Sequence, residues 1–230
     1  SAKMMKRAKD VEARQQKEIE QKSTLLKNVE IESGLKISPL TYRSERLISL
    51  SDVVPFYGNN KVCKPVTFDI MRGDRIALEG KNGCGKSSIL KLLYGHSIDY
   101  LGIIERGSNL TISYVPQDTS RLRGTLSDFA FSEHIDESLF KAILHKMGFQ
   151  RQQFEKDITN FSEGQKKKAL IAKSLCQQAH LYIWDEPLNF IDTYSRIQIE
   201  NLLMQFRPTM IFVEHDKTFQ NKIATRIIKF

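Results

Sequence analysis

Apolar residues along this chain gather into short unbroken runs, and the intervals between the runs carry helical spacing. The runs LTISYV (110–115), LYIWD (181–185), MIFVE (210–214) and RIIKF (226–230), with Arg75–Glu79 before them, predict strands. Helices are predicted between and after them near 86–94, 138–147, 163–178, 193–206 and 217–224. Alternation of this kind predicts an α/β sheet with helices on its faces. Ahead of it, RLISLSDVVPFYGNNKVCKPVTFDIMRGDRIALEG (46–80) is cut by YGNN and RGD into short β-rich pieces, which predict a hairpin feeding the buried strand Arg75–Glu79. The first thirty residues contain neither Gly nor Pro. There Met4, Ala8, Val11, Ile19, Leu26 and Val29 lie close to a three–four spacing, with gaps at Gln15 and Lys22. This predicts one long helix with a narrow apolar seam and solvated flanks. Composition changes near Ser33-Gly34, dividing the chain into residues 1–33 and a domain over 34–230.

A chain of 230 residues can bury a full core. A formal charge of +8 and a pI near 9.3 favour an anionic partner without choosing among nucleotides, RNA and acidic membrane surfaces. Part of the excess sits at the start, where Lys3, Lys6, Arg7, Lys9, Arg14 and Lys17 are opposed only by Asp10 and Glu12. That stretch is either a solvated coiled-coil arm or a helix whose basic end touches RNA phosphates. Cys63, Cys84 and Cys176 show no metal-ligand spacing and no disulfide framework, which suits a reducing compartment. No apolar run approaches the roughly 20 residues of a membrane-spanning helix. The lysine-rich start is not followed by the hydrophobic region of a signal peptide. Beginning at Ser1 rather than Met, the chain is expected to be a piece of a longer one. His96, His134, His145 and His180 have no partners at metal spacing and read as structural.

The chemistry begins at GKNGCGKSS, Gly80 to Ser88, which matches G-x-x-x-x-G-K-[ST] between a predicted strand and a predicted helix. Gly80, Gly83 and Gly85 let the backbone curl so that successive N–H groups face phosphate oxygens, and the helix starting near Lys86 adds its positive end. Lys86 can bridge the β- and γ-phosphates, and the Ser87 hydroxyl can ligate Mg²⁺. A second group stands at the end of the apolar run LYIW, where Asp185 and Glu186 emerge from a buried strand. Sheets of this class place ligands at that end. Asp185 would hold Mg²⁺ and Glu186 would polarise an attacking water, because phosphoryl transfer depends on in-line positioning.

In order, GKNGCGKSS, YVPQD, FSEGQ, LYIWDEPLNFID and FVEHD resemble the nucleotide-binding domain of the ATP-binding cassette (ABC) superfamily from about residue 46 to the end. The resemblance implies a P-loop NTPase fold with an antiparallel β subdomain and a helical arm, ATP and Mg²⁺ as ligands, and ATP hydrolysis. It gives Asn82, Cys84 and Ser88 places in the phosphate loop. Gln117 becomes the glutamine that senses Mg²⁺ and the attacking water, and His215 the histidine that contacts the γ-phosphate. Asp192 becomes the aspartate that communicates across a dimer. Tyr57 resembles the aromatic that stacks on adenine, with Phe56 as the alternative. FSEGQ is similar to the L-S-G-G-Q signature, so Ser162, Gly164 and Gln165 would meet a γ-phosphate held by an opposite cassette. Glu163, standing among them, is expected to turn away, toward Lys166 or Lys167.

Asn189 in DEPLN is similar to the D-E-P-x-N pattern of the ABC-F family, whose soluble members carry two cassettes joined by a helical linker and act on ribosomes. That resemblance implies a cytoplasmic protein whose residues 1–33 end such a linker and reach ribosomal RNA and tRNA. Its catalytic partner would be the first cassette of the same chain, or a second copy of this one. FSEGQKKK and DEPLNFID look most like the branch that protects ribosomes from lincosamide, streptogramin and pleuromutilin antibiotics. Departures from the family pattern are Ser88 for Thr, Leu188 for Thr and Phe190 for His. The ATP-binding subunit of a membrane transporter would share all these motifs and remains the alternative.

Overall fold

The structure, a computed structural model, describes residues 37–230. The helix expected over 1–33, and the boundary after it, lie outside these residues.

Two sheets form. The first is antiparallel and built on β1 (Arg46–Tyr57), which pairs with β2 (Asn60–Lys61), β3 (Val66–Met71) and β5 (Asp99–Arg106). The second is parallel, in the order β6 (Ile112–Val115), β7 (Leu181–Asp185), β8 (Met210–Val213), β4 (Arg75–Glu79), β9 (Arg226–Lys229). Every residue of β7 and β8 is buried, as unbroken apolar runs require when both faces of a parallel sheet are covered. Helix α1 (Lys86–Tyr94) packs against strands of both sheets. Its Ile89, Leu90, Leu92 and Leu93 join Ile48 and Leu50 of β1 with Ile183 and Ile211 of the parallel sheet in one core. Only Lys91 and Tyr94 of this helix are exposed, which is why KSSILKLLY is mostly apolar after its first turn.

The remaining helices are α2 (Leu126–Ser132), α3 (Glu137–Lys146), α4 (Glu163–Cys176), α5 (Thr193–Phe206) and α6 (Lys217–Ile223), with 3-10 turns at Arg151–Glu155 and Ile158–Asn160. The expected α/β class, antiparallel subdomain and helical arm are all present. Two elements were not anticipated. Helix α2 begins on a reciprocal cap between Thr125 and Asp128, upstream of the helix expected at 138. Strand β5 is exposed along almost its whole length and has no buried face to impose alternation. It passes a bulge in β1 where an added Cβ on Gly102 would meet Asp52 O at 2.4 Å, and Gly102 has φ +89. Only glycine fits there. Among the described residues no helix is long and apolar enough to cross a membrane.

The parallel sheet decides where the site forms. Leu78 of β4 and Asp185 of β7 both pair with Val213 of β8, and Val115 of β6 pairs with Trp184. Four strands therefore end together, and the loops leaving them carry the phosphate loop, Gln117, Glu186 and His215 to one edge.

Candidate functional site

The loop between β4 and α1 curls through left-handed backbone at Gly83 (φ +77) and Gly85 (φ +98). Lys86 is buried and folds back over it, donating to Gly80 O and Lys81 O at 2.8 Å each, with Cys84 Sγ 3.7 Å away. Ser87 Oγ donates to Asp185 Oδ1 at 3.1 Å. Asp185 is fully buried and its Oδ2 has no partner. Burial pushes its carboxyl above the usual range; the Ser87 hydroxyl opposes this, and the neighbouring Glu186 adds to it.

Glu186 follows in left-handed backbone (φ +47), with its amide donating to Val213 O at 3.0 Å. Three side chains converge on its carboxylate. Gln117 Nε2 donates to Oε2 at 2.9 Å, Asn189 Nδ2 donates to the same oxygen at 2.7 Å, and His215 Nε2 lies 3.3 Å from Oε1. These residues and the phosphate loop enclose a cavity of about 500 Å³, lined among others by Asn82, Lys86, Ser87, Gln117, Glu186 and His215. Gly83, Gly85 and Ser88 line it as well. A Mg²⁺ ion fits this donor set. A hydroxyl beside a buried carboxylate with one orphaned oxygen is the hard, oxygen-only start of a site that water completes. Among the described residues no group of three or more His, Cys, Asp or Glu could hold a metal ion.

Tyr57 stands half-exposed, its hydroxyl 3.3 Å from Ser88 Oγ, which ties it to the start of α1. Phe56 and Tyr57 are consecutive in β1, so they point to opposite faces.

Ser162, Gly164, Gln165 and Asp192 do not line this cavity. Ser162 caps α4: its Oγ accepts from the Gln165 amide at 3.2 Å, and Gln165 Oε1 accepts from the Ser162 amide at 3.0 Å. Asp192 caps α5 through Ser195, and its Oδ2 lies 2.6 Å from Lys168 Nζ. Burial works to raise the Asp192 pKa, but Lys168 and Ser195 hold it well below the usual range. Glu163 turns to Lys166 as expected (3.0 Å), and also accepts from Thr119 Oγ1. Gly164 lies against the loop after Glu186, where an added Cβ would stand 2.3 Å from Phe190 O. Gly164→Ala is therefore expected to cost about 1–3 kcal/mol by overpacking. Differential scanning calorimetry would show this as a Tm lowered by about 2–10 °C, and an unchanged Tm would mean the loop yields freely.

Sequence reasoning overlooked Glu214. This buried carboxylate accepts from the amides of Leu188 (2.7 Å) and His215 (3.1 Å), joining the loop after Glu186 to the loop after β8. Burial raises its pKa against those two hydrogen bonds. Its signal was a carboxylate closing an otherwise apolar strand run. Asn189, noted only as a family mark, proves to be a direct partner of Glu186.

Residues 63–189, more than half of the chain, match the ABC transporter family model. The chain is 30% identical over 193 residues to the ATP-binding protein Uup of Caulobacter vibrioides, covering 80% of this chain and 32% of that one. It is 32% identical over 188 residues to the putative ATP-binding protein YdiF of Bacillus subtilis, with 80% and 29% covered. With ABC transporter F family member 2 of Arabidopsis thaliana it shares 26% over 190 residues, with 81% and 28% covered. The chain thus spans about a third of the length of these curated relatives. A solved structure described as an inward-facing, putative metal-chelate type ABC transporter superposes with a TM-score of 0.64 at 25% identity, covering 81% of this chain and 79% of that one. The matched motifs occupy the loops at one edge of the parallel sheet, and the chain belongs to the ABC transporter family as an ATP-binding domain.

Proposed function

We propose that residues 34–230 are a Mg-ATP-hydrolysing cassette of a cytoplasmic ABC-F protein that acts on the ribosome, with residues 1–33 as the end of its linker helix. The observation that carries the catalytic part is the convergence of Gln117, Asn189 and His215 on Glu186 beside the phosphate-loop cavity. A carboxylate held at two oxygens by three side chains is oriented before substrate arrives, which is what in-line attack requires.

The phosphate-loop amides and Lys86 bind the β- and γ-phosphates, while Tyr57 offers a ring to the adenine. Ser87, Asp185 and Gln117 would hold Mg²⁺, which when bound neutralises charge on the transferring phosphoryl group. Glu186 takes a proton from water as its oxygen attacks the γ-phosphorus, and ADP leaves with the electrons of the broken P–O bond. Gln117 orients that water, and His215 steadies both Glu186 and the γ-phosphate. The α4 N-terminus, with Ser162, Gly164 and Gln165, would complete the site of an opposing cassette, and Asp192 would report across that interface.

The ribosomal reading is supported by Asn189 in DEPLN, by the relatives named as F family and ATP-binding proteins, and by the basic residues before position 18. The antibiotic-protection branch is its finer form and rests on FSEGQKKK and DEPLNFID. A transporter subunit is the second reading, favoured by the transporter chain that shares this fold. Phosphate release by this single-cassette chain alone is expected to be weak and to rise per copy with protein concentration, because each site needs a second cassette. The full-length parent is expected to co-sediment with ribosomes only with a non-hydrolysable ATP analogue. Concentration-independent turnover would sink the composite site, and ATP-indifferent sedimentation would sink the ribosomal role.

A further inference from the structure

Helix α4 runs alongside strand β6 and the loop after it, and its polar residues meet that segment in reverse order. Ser174 Oγ lies 2.7 Å from Ser113 Oγ, and Lys173 Nζ donates to Tyr114 O at 3.3 Å. One to two turns earlier Lys167 Nζ donates to Pro116 O at 3.0 Å, and at the first turn Glu163 accepts from Thr119 Oγ1. Gln117 lies between the last two contacts. Its own side chain is exposed and reaches Glu186. Thr119 is buried beside it, and Lys167 is 3% exposed. A buried ammonium commits its hydrogens to specific acceptors, and this one also lies in the field of Asp185, Glu186, Glu214 and Glu163.

We propose that Glu163 and Lys167 are positioning residues: they grip the Gln117 loop on either side and so set the contact of Gln117 with Glu186. The proposal rests on the reading of Glu186 as the catalytic carboxylate. It gives the acidic residue in FSEGQKKK a task inside its own domain. Glu163 stands in the first turn of α4, next to Ser162 and Gly164, so any displacement of that turn by an opposing cassette pulls directly on Thr119. The occupancy of one composite site is thereby passed to the water-orienting glutamine of the other. The link is two side-chain contacts long, and it needs no change in either sheet.

The test is a double-mutant cycle in the full-length parent protein, with Glu163→Ala and Gln117→Ala alone and together. Affinity for a fluorescent ATP analogue is followed alongside phosphate release. Glu163→Ala is expected to lower kcat about tenfold with KM nearly unchanged, since small misplacements of a positioning group are costly. In the Gln117→Ala background the same change should cost less than about twofold. Lys167→Met should behave like Glu163→Ala, and Lys167→Arg, which keeps a donor, should restore most of the loss. Equal factors in both backgrounds would overturn the proposal. Hydrogen exchange supplies a readout that needs no turnover: peptide 113–121 should exchange about tenfold faster in Glu163→Ala and Lys167→Met, with peptide 75–94 unaffected. Unchanged exchange at 113–121 would also overturn it. A parent protein that releases no phosphate while both variants loosen that peptide would instead refute the hydrolytic reading and leave the grip standing.

Discussion

Glu186→Gln is expected to lower phosphate release by about 10²–10⁴-fold, the range lost when a positioned general base is removed, while Mg-ATP affinity changes little. Both halves follow from the geometry. Glutamine keeps an oxygen that can accept from Asn189 and Gln117, so the loop and its left-handed backbone are not disturbed. What it loses is the capacity to take a proton, and its amide group presents donors where His215 now meets an acceptor. The phosphate loop, Lys86 and Ser87 are untouched, so the ground state is bound as before. A KM effect without a kcat effect would place Glu186 in binding rather than in the chemical step.

Asp185→Asn is expected to split stability from activity. Asp185 is fully buried with an orphaned oxygen, and burial raises its pKa above the ordinary 3.8 of an aspartate. A carboxyl raised on folding contributes most to stability below that unfolded value, and the contribution is lost as pH climbs through the folded value. At neutral pH the charge is therefore a liability. Asparagine removes it while keeping an acceptor for Ser87. The variant should gain about 1–3 kcal/mol at pH 7, a Tm rise of roughly 2–10 °C. The gap to the parent protein should narrow as pH falls toward 4. Glu214, raised in the same way, is common to both proteins and drops out of the difference. Mg-dependent hydrolysis should fall by at least about tenfold, since the anionic partner of the metal is gone. A lower Tm at pH 7 would mean that the ionised carboxylate is compensated by its surroundings.

Motifs whose meaning is local were legible. GKNGCGKSS encodes its own curl through glycines, and LYIWDE encodes a buried strand with carboxylates at its end. Gln117 and His215 stood out only through the resemblance of YVPQD and FVEHD to family motifs; that each follows an apolar run explains why a parallel sheet gathers them beside Glu186. What could not be read is set by residues far apart in sequence. Glu163 and Thr119 stand 44 positions apart, and neither has a local feature naming the other. Glu214 looked like an ordinary strand end, because the Leu188 amide it accepts from belongs to another loop. Strand β5 left no periodic trace since it buries almost nothing. Ser162 and Gln165 show a subtler case. The S-x-x-Q spacing was read as part of a phosphate turn, yet it is also a capping box, and both side chains close on their own helix.

One detail of the phosphate loop bears on how ligand arrives. The Lys86 ammonium carries three hydrogens, and two already rest on Gly80 O and Lys81 O. The group is a tripod with two feet planted on backbone carbonyls, and its third N–H rests on Cys84 Sγ at 3.7 Å, the weakest acceptor of the three. A phosphate then has only that weak sulfur contact to displace, in a cradle already formed and with little side-chain entropy left to lose. A guanidinium, flat and forked, could not stand over the same two carbonyls and still point out of their plane.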